Sequence, residues 1–281
     1  MKKILNLIFA LSISIYGFAN NNEQTKKDSI IPYGNNPDAG RFYNIRGIKM
    51  YVEEYGEGKP LLMIHGNGGS IKSFKKNIPY FAKNYHVIAT DSRAHGKSTD
   101  NQDSLSFMMM ADDEAALLDA MHIDSAYVIG SSDGGIISLE MAIRHPEKVI
   151  KFASTGADIC PDSSAKAIMP TFWNEEKEFY EANKNKIFTS AEEKNKFKVK
   201  MLDWYQPNIQ LSELQAIPCP ALIICGDHDI IKIEHTVQIY QNIPHAYLWI
   251  LPNSGHGTLS EHAAEFNEKV NDFFQKPYKD R

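Results

Sequence analysis

The strongest chemical signal in the chain is Gly130-Ser131-Ser132-Asp133-Gly134-Gly135, which follows the apolar run Tyr127–Ile129 and precedes a helix-like pattern over Ile136–His145. A Gly-x-Ser-x-Gly at a strand-to-helix turn presents the Ser132 hydroxyl on a sharp bend, beside a helix N-terminus that favours negative charge. Glycines permit the bend because no Cβ obstructs it. A serine nucleophile needs a base to take its proton and an acid to orient that base. In this geometry they follow later in the chain, acid first and histidine second, each just past a strand. Gly226-Asp227-His228-Asp229 follows the run Ala221–Cys225, and Ser254-Gly255-His256-Gly257 follows Ala246–Leu251. His256 sits in a small-residue loop that can approach a serine closely. Asp229 is the expected acid, because a loop leaving through Gly226 has room to turn before presenting it; Asp227 is the competing choice. His262, on the following helix, reads as a surface residue.

Acyl transfer also requires two backbone N–H donors aimed at the developing oxyanion. Asp133, the residue after the nucleophile, is expected to give one. The other is expected from Asn67, in the loop His65-Gly66-Asn67-Gly68-Gly69 that follows Leu61–Ile64. His65 then supports the loop by hydrogen-bonding backbone. Nothing closes this loop as Gly-Lys-Ser/Thr, which makes a phosphate cradle a poor reading. No Cys-x-x-Cys or His-Glu-x-x-His run offers a metal cage, and no metal or organic cofactor is expected.

The elements that must position these residues alternate between strand and helix. Lys49–Glu54 alternates as a half-buried strand, while the runs at 61–64, 87–89, 127–129, 149–152 and 221–225 are continuously apolar, as strands buried on both faces of a parallel sheet are. Helical patterns fall over 106–121, 134–145, 234–241 and 260–274. The alternation predicts an α/β fold with a mostly parallel, doubly wound sheet and right-handed crossovers. Residues 158–214 break it. They are charged and aromatic, with Trp173, Phe179, Tyr180, Trp204 and Tyr205 among many Lys and Glu, and they read as a helical cap inserted between the core segments 41–157 and 215–275. Phe172, Trp173, Trp204 and Tyr205 are expected to help line an apolar pocket beneath it. Cys219 and Cys225 lie six apart on one strand, roughly 20 Å when extended, too far for a disulfide; free, mostly buried thiols are expected.

At the N-terminus, Lys2 and Lys3, the apolar stretch Ile4–Tyr16 and Gly17-Phe18-Ala19 have the three-part pattern of a cleaved export signal over residues 1–19, followed by a polar linker over 20–40. The apolar stretch is shorter than the ~20 residues a spanning helix needs. A periplasmic or secreted protein without stable membrane insertion is expected. The chain of 281 residues is 43% hydrophobic and 23% charged with three Cys, which excludes a disordered chain and a disulfide scaffold. Its formal net charge of −5, from 30 basic and 35 acidic residues, becomes 28 − 35 = −7 once the two signal lysines are removed, and gives no electrostatic reason to bind nucleic acid.

With these motifs in place, residues 40–275 resemble the α/β-hydrolase superfamily. Asp91-Ser92-Arg93-Ala94-His95-Gly96-Lys97-Ser98 resembles its Asp-x-Arg-Gly-x-Gly-x-Ser turn, with Ala94 where Gly is usual. Ser-Asp-Gly-Gly at 132–135, with the strand end Ser154-Thr155-Gly156-Ala157, is similar to the biphenyl-hydrolase-like group, which includes the amino-acid ester hydrolases called valacyclovir hydrolases; Ser131 stands where that group usually has Trp. The resemblance implies an α/β-hydrolase fold and a serine hydrolase of small-molecule carboxylic esters acting through Ser132, Asp229 and His256. It further implies that the Asp133 carboxylate recognises a substrate α-amino group. The same triad supports carbon–carbon bond hydrolysis and cofactor-free perhydrolase chemistry, and a hydrolase fold can also serve as a non-catalytic ligand receptor.

Overall fold

The computed structural model describes residues 31–167 and 169–279, with the side chains of 169–173 left undescribed; the expected export signal lies outside the described residues. Eight strands form one sheet: β1 (Gly40–Ile45), β2 (Ile48–Tyr55), β3 (Lys59–Ile64), β4 (Tyr85–Thr90), β5 (Ala126–Ser131), β6 (Val149–Thr155), β7 (Ala221–Gly226) and β8 (Ala246–Leu251), in the spatial order β1-β2-β4-β3-β5-β6-β7-β8. β1 and β2 pair antiparallel, as do β2 and β4, and every pair from β4 to β8 is parallel. The helices are α1 (Ile78–Phe81), α2 (Phe107–Ala120), α3 (Asp133–Arg144), α4 (Met169–Asn183), α5 (Ala191–Tyr205), α6 (Leu211–Leu214), α7 (Ile233–Asn242), α8 (Thr258–Glu261) and α9 (Ala263–Gln275).

The continuous apolar runs are explained by two cores. Leu62, Ile64, Ile88, Val128, Phe152 and Ile223 face the core shared with α2, α3 and α7. Their alternating neighbours Leu61, Met63, Val87, Ile129, Ala153 and Ile224 face the one shared with α1 and α9. Alternation of side chains along each strand therefore demands an apolar residue at every position. With helices on both faces, the strand ends at the C-terminal edge are left for the loops after β3, β5, β6, β7 and β8.

Two differences from the sequence reading have local causes. Residues 40–45 form an edge strand, and the preceding turn is tied down: the buried Glu53 carboxylate accepts from the backbone N–H groups of Gly34 and Asn36, both at 2.8 Å. The helical pattern at 260–274 is broken at His262, which caps α9 while its Nε2 bonds the Asn253 carbonyl. Residues 158–214 contribute α4, α5 and α6 and no strand to the sheet.

A buried ion network fixes the site's surroundings. Arg93, 2% exposed, donates to both Asp113 oxygens (2.6 and 2.7 Å) and to Asp100 (3.0 Å), and Asp100 also binds Lys198 of α5. Burial alone would raise Asp100, but Lys198 and Arg93 hold it below the usual carboxylate range. The α5 helix is thereby anchored to the loop after β4. Ala94, in that loop, adopts φ = 64°, the left-handed region glycine favours. The alanine thus keeps the glycine geometry and carries its steric cost.

Candidate active site

Ser132 sits between β5 and α3 with φ = 56° and ψ = −119°. A non-glycine residue held there is strained by roughly 1–3 kcal/mol and persists only because its surroundings fix it. They do so through the backbone: Ser132 N–H bonds the Thr155 carbonyl of β6 at 2.8 Å, and the Ser132 carbonyl accepts from Gly135 and Ile136. The bend works only with glycine at 134, where an added Cβ would stand 1.9 Å from the Ile64 carbonyl oxygen.

The Ser132 Oγ–H donates to His256 Nε2 at 2.9 Å, and His256 Nδ1–H donates to Asp229 Oδ1 at 2.6 Å. Three loops, after β5, β7 and β8, bring these residues together from positions separated by 124 and 27 residues. Asp229 is buried, and its carboxylate also accepts from Ile231 N–H at 3.1 Å. The hydrogen-bond chain assigns the imidazole tautomer, with the proton on Nδ1 and a lone pair on Nε2 facing the hydroxyl. Such a chain can move the serine proton to the imidazole while a fixed anion stabilises the cation that forms.

Asp227 points elsewhere. It accepts from Asn253 N–H (2.9 Å) and Ser254 N–H (3.0 Å), pairs with His228, and is held far below the usual carboxylate range by those backbone donors. It shapes the loop that carries His256 rather than touching the imidazole. Gly156, at φ = 65°, lies against the other side of the ring: a Cβ there would stand 2.8 Å from His256 Cε1 and 3.0 Å from Nδ1.

His65 donates from Nδ1 to the Gly66 carbonyl (2.8 Å) and accepts at Nε2 from Ser92 N–H (3.1 Å). Complete burial lowers its pKa to about 3, so it remains neutral and structural. The loop it supports carries Asn67, whose Nδ2 donates at 3.0 Å to both Asp133 Oδ2 and the Val199 carbonyl of α5. Asp133 is the first residue of α3, so its N–H lies at a helix N-terminus beside the nucleophile, and its side chain is 3% exposed. Gly66 lies on Ser132, since a Cβ at 66 would stand 2.9 Å from Ser132 Cβ.

Among the described residues, the side chains lining the pocket at Ser132 are charged and aliphatic. With Ser132 and His256 it is lined by Asp133, Asp158, Lys166 and Asp203, and by Ile136, Ile230 and Ile231. Trp204 and Tyr205 are not among the lining residues; Tyr205 borders a separate cleft with Phe197 and Met201. The side chains of Phe172 and Trp173 lie outside the described residues. Asp158 is 3% exposed and pairs with Lys166 at 3.5 Å; burial pushes its carboxyl up to about 7, with Lys166 pulling the other way. Asp133 and Asp203 are hydrogen-bonded carboxyls, both raised by burial, and the neighbouring Asp203 charge pushes Asp133 higher still. Neither Asp158, Lys166 nor Asp203 stands out in the sequence, because a charged residue on a Lys- and Glu-rich helix or loop ordinarily faces water. Among the described residues no group of three or more His, Cys, Asp or Glu has the arrangement of a metal site. Cys160, Cys219 and Cys225 are free, and burial pushes the Cys219 thiol up to about 12 and Cys225 up to about 11, so neither is a nucleophile.

Comparison with known proteins agrees with this architecture. A profile of the alpha/beta hydrolase fold matches residues 59–189. A 2-hydroxymuconate semialdehyde hydrolase of Pseudomonas sp. (strain CF600) is 28% identical over 273 residues, spanning 85% of this chain and 95% of the relative. Two solved structures share the fold: a thermophilic esterase from Thermogutta terrifontis (TM-score 0.72, 18% identity, 85% of this chain and 99% of that one), and a meta-cleavage product hydrolase from Pseudomonas fluorescens IP01 (TM-score 0.69, 22% identity, 85% and 99%). By its strand order and these likenesses, the chain has the α/β-hydrolase fold.

Proposed function

We propose that the protein is an exported serine hydrolase that cleaves carboxylic esters, with α-amino acyl esters as its preferred class. The observation that carries this reading is the hydrogen-bonded chain Ser132–His256–Asp229, opening into a pocket lined by three carboxyls and one lysine. His256 takes the proton from Ser132 as its Oγ attacks the carbonyl carbon. The N–H groups of Asn67 and Asp133 hold the oxyanion, and the tetrahedral intermediate collapses as His256 returns the proton to the leaving alcohol. Water, deprotonated by the same imidazole, then cleaves the acyl-enzyme. The carboxylate-lined pocket disfavours an anionic acyl group and favours an ammonium. Helices α4 and α5 act as a cap over the nucleophile, with α5 bonded to the oxyanion loop through Asn67.

The likeness to the 2-hydroxymuconate semialdehyde hydrolase supports a second reading, hydrolysis of a carbon–carbon bond by the same triad. Other relatives are named for dienoate substrates, and such a carboxylate meets electrostatic opposition from the acidic pocket here. The test compares methyl L-alaninate, methyl propanoate and a 2-hydroxy-6-oxo-dienoate with the mature protein and its Ser132→Ala variant. Turnover of the esters, abolished in Ser132→Ala and faster with the α-amino group, is expected. Turnover of the dienoate alone would replace this reading with the second. No turnover of any, together with no labelling of Ser132 by a fluorophosphonate, would leave a receptor.

A further inference from the structure

The catalytic pocket contains more negative charge than the α-amino reading requires of Asp133 alone. Three carboxyls and one lysine line it, and Lys166 is engaged with Asp158 at 3.5 Å and with the Asp203 carbonyl at 3.4 Å. Asp133 and Asp203 are left facing each other, the first at the head of α3 and the second on α5, which Lys198 and Asn67 fasten over the nucleophile. The surrounding groups are Asn67 from the loop after β3, Asp158 and Lys166 from the segment after β6, His256 from the loop after β8, and Lys200 one turn back on α5, paired with Glu176.

Two neighbouring carboxyls, Asp133 buried and Asp203 half-buried, resist being ionised together without a compensating cation. An ionised Asp133 would also oppose the oxyanion that forms beside its own N–H. The charge must therefore be neutralised during turnover, by a proton or by the substrate.

We propose that Asp203 is a specificity-determining residue which, with Asp133, forms a two-walled ammonium site, and that an arriving ammonium displaces the proton these carboxyls share in the empty enzyme. This rests on the α-amino reading above and assigns the recognition to two helices rather than one residue. The exchange balances: the pair with one proton carries −1, the ammonium adds +1, the proton leaves to solvent, and the filled site keeps a net −1. Because Asp203 rides on α5, recognition of the cation also holds the cap helix against the core.

Two experiments test it. Steady-state kinetics on methyl L-alaninate and methyl propanoate, which differ only by the amino group, give the preference of wild type and Asp203→Asn. Asp203→Asn should lower the kcat/KM ratio for amino over plain ester by roughly ten- to a hundredfold, the effect of one charge-assisted contact. It should also move the high-pH decline of the plain ester to lower pH, since Asp133 without its carboxyl neighbour ionises more readily; a purely structural role would not move that profile. A wild-type preference that survives in Asp203→Asn overturns the proposal but keeps the α-amino reading, whereas a wild type without preference overturns both. In the event that Asp203→Asn does not fold, titration calorimetry of Ser132→Ala with methyl L-alaninate in two buffers of different ionisation heat decides. Release of about one proton on binding is expected, and binding without proton release overturns the proposal.

Discussion

Gly156→Ala is the most direct trial of the catalytic geometry, because the substituted residue makes no chemical contribution of its own. In the structure a Cβ at 156 would lie 2.8 Å from His256 Cε1 and 3.0 Å from Nδ1, where ordinary contact begins near 3.4 Å. The imidazole would have to retreat by about 0.5 Å from a position fixed by two hydrogen bonds of 2.6 and 2.9 Å, and a displacement approaching 1 Å is worth up to ~100-fold in rate. Alanine must also hold φ = 65°, at a steric cost of roughly 1–2 kcal/mol, which lowers Tm by about 2–8 °C for a domain of this size. The expected result is a kcat lowered about ten- to a hundredfold with KM nearly unchanged, slowed labelling of Ser132 by a fluorophosphonate, and a modest fall in Tm. Ester hydrolysis kinetics and a thermal melt on the same preparations read all three. Retention of kcat within about twofold would refute the placement of His256 against Gly156, and with it the claim that this packing aligns the base.

Asp229→Asn should lower kcat by about 10⁴, the effect of an amide that favours the wrong imidazole tautomer, while Asp227→Asn should cost far less in kinetics on the same ester; the reverse order would reassign the acid. Ala94→Gly should raise Tm by about 1–3 °C, because relief of left-handed strain exceeds the entropy glycine adds to the unfolded chain; an unchanged or lowered melting point would show that the position is unstrained. Glu114 is buried, accepts from Thr90 Oγ1 at 3.0 Å, and is pushed up to about 8 by desolvation, with Asp113 adding to the rise. A carboxyl raised on folding contributes stability below its unfolded pKa and loses it as pH rises through the folded value. Wild-type Tm should therefore fall more steeply between about pH 5 and 8 than that of Glu114→Gln, and parallel melting curves across that range would sink the argument.

The placement of function on α5 has a structural consequence. The buried pairings Arg93–Asp100 and Asp100–Lys198 run from the loop after β4 into α5, and Asn67 joins the loop after β3 to the same helix at Val199. Paired buried charges of this kind contribute little net stability but penalise misplacement of either partner, since removing one strands the other. Here they fix where Asp203 stands relative to Ser132. The pocket's electrostatics and the cap's position are thus set by one connected group of residues.

Much of this was legible in the linear sequence. The strand–turn–helix around Ser132 and the order Ser, Asp, His depend on local bends and chain direction. Glycines and apolar runs record both, because the runs of the central strands β3, β5 and β7 lie between two cores and leave no room for a polar interruption. His65 was readable as a loop support for a similar reason, since its neighbours are the glycines whose carbonyls need a donor. Other features depended on contacts the sequence does not encode locally. Asp227 and Asp229 are two residues apart with the same chemistry, and only the path of the loop decides which meets the imidazole and which caps Asn253 and Ser254. The edge strand at 40–45 is polar because one face is solvated, and it is recognised only through its pairing with β2 and the Glu53 anchor. The acidic pocket is the clearest case. Asp133, Asp158 and Asp203 lie on three separate elements; Asp133 is marked by its place after Ser132, but Asp158 and Asp203 each alone read as ordinary solvated carboxylates. Their meaning comes from being brought into one desolvated space, where mutual repulsion makes a shared proton or a cation necessary. The sequence by itself determined which groups could react; the tertiary structure decided the electrostatic environment in which they do so, because burial and long-range proximity arise only when distant segments pack.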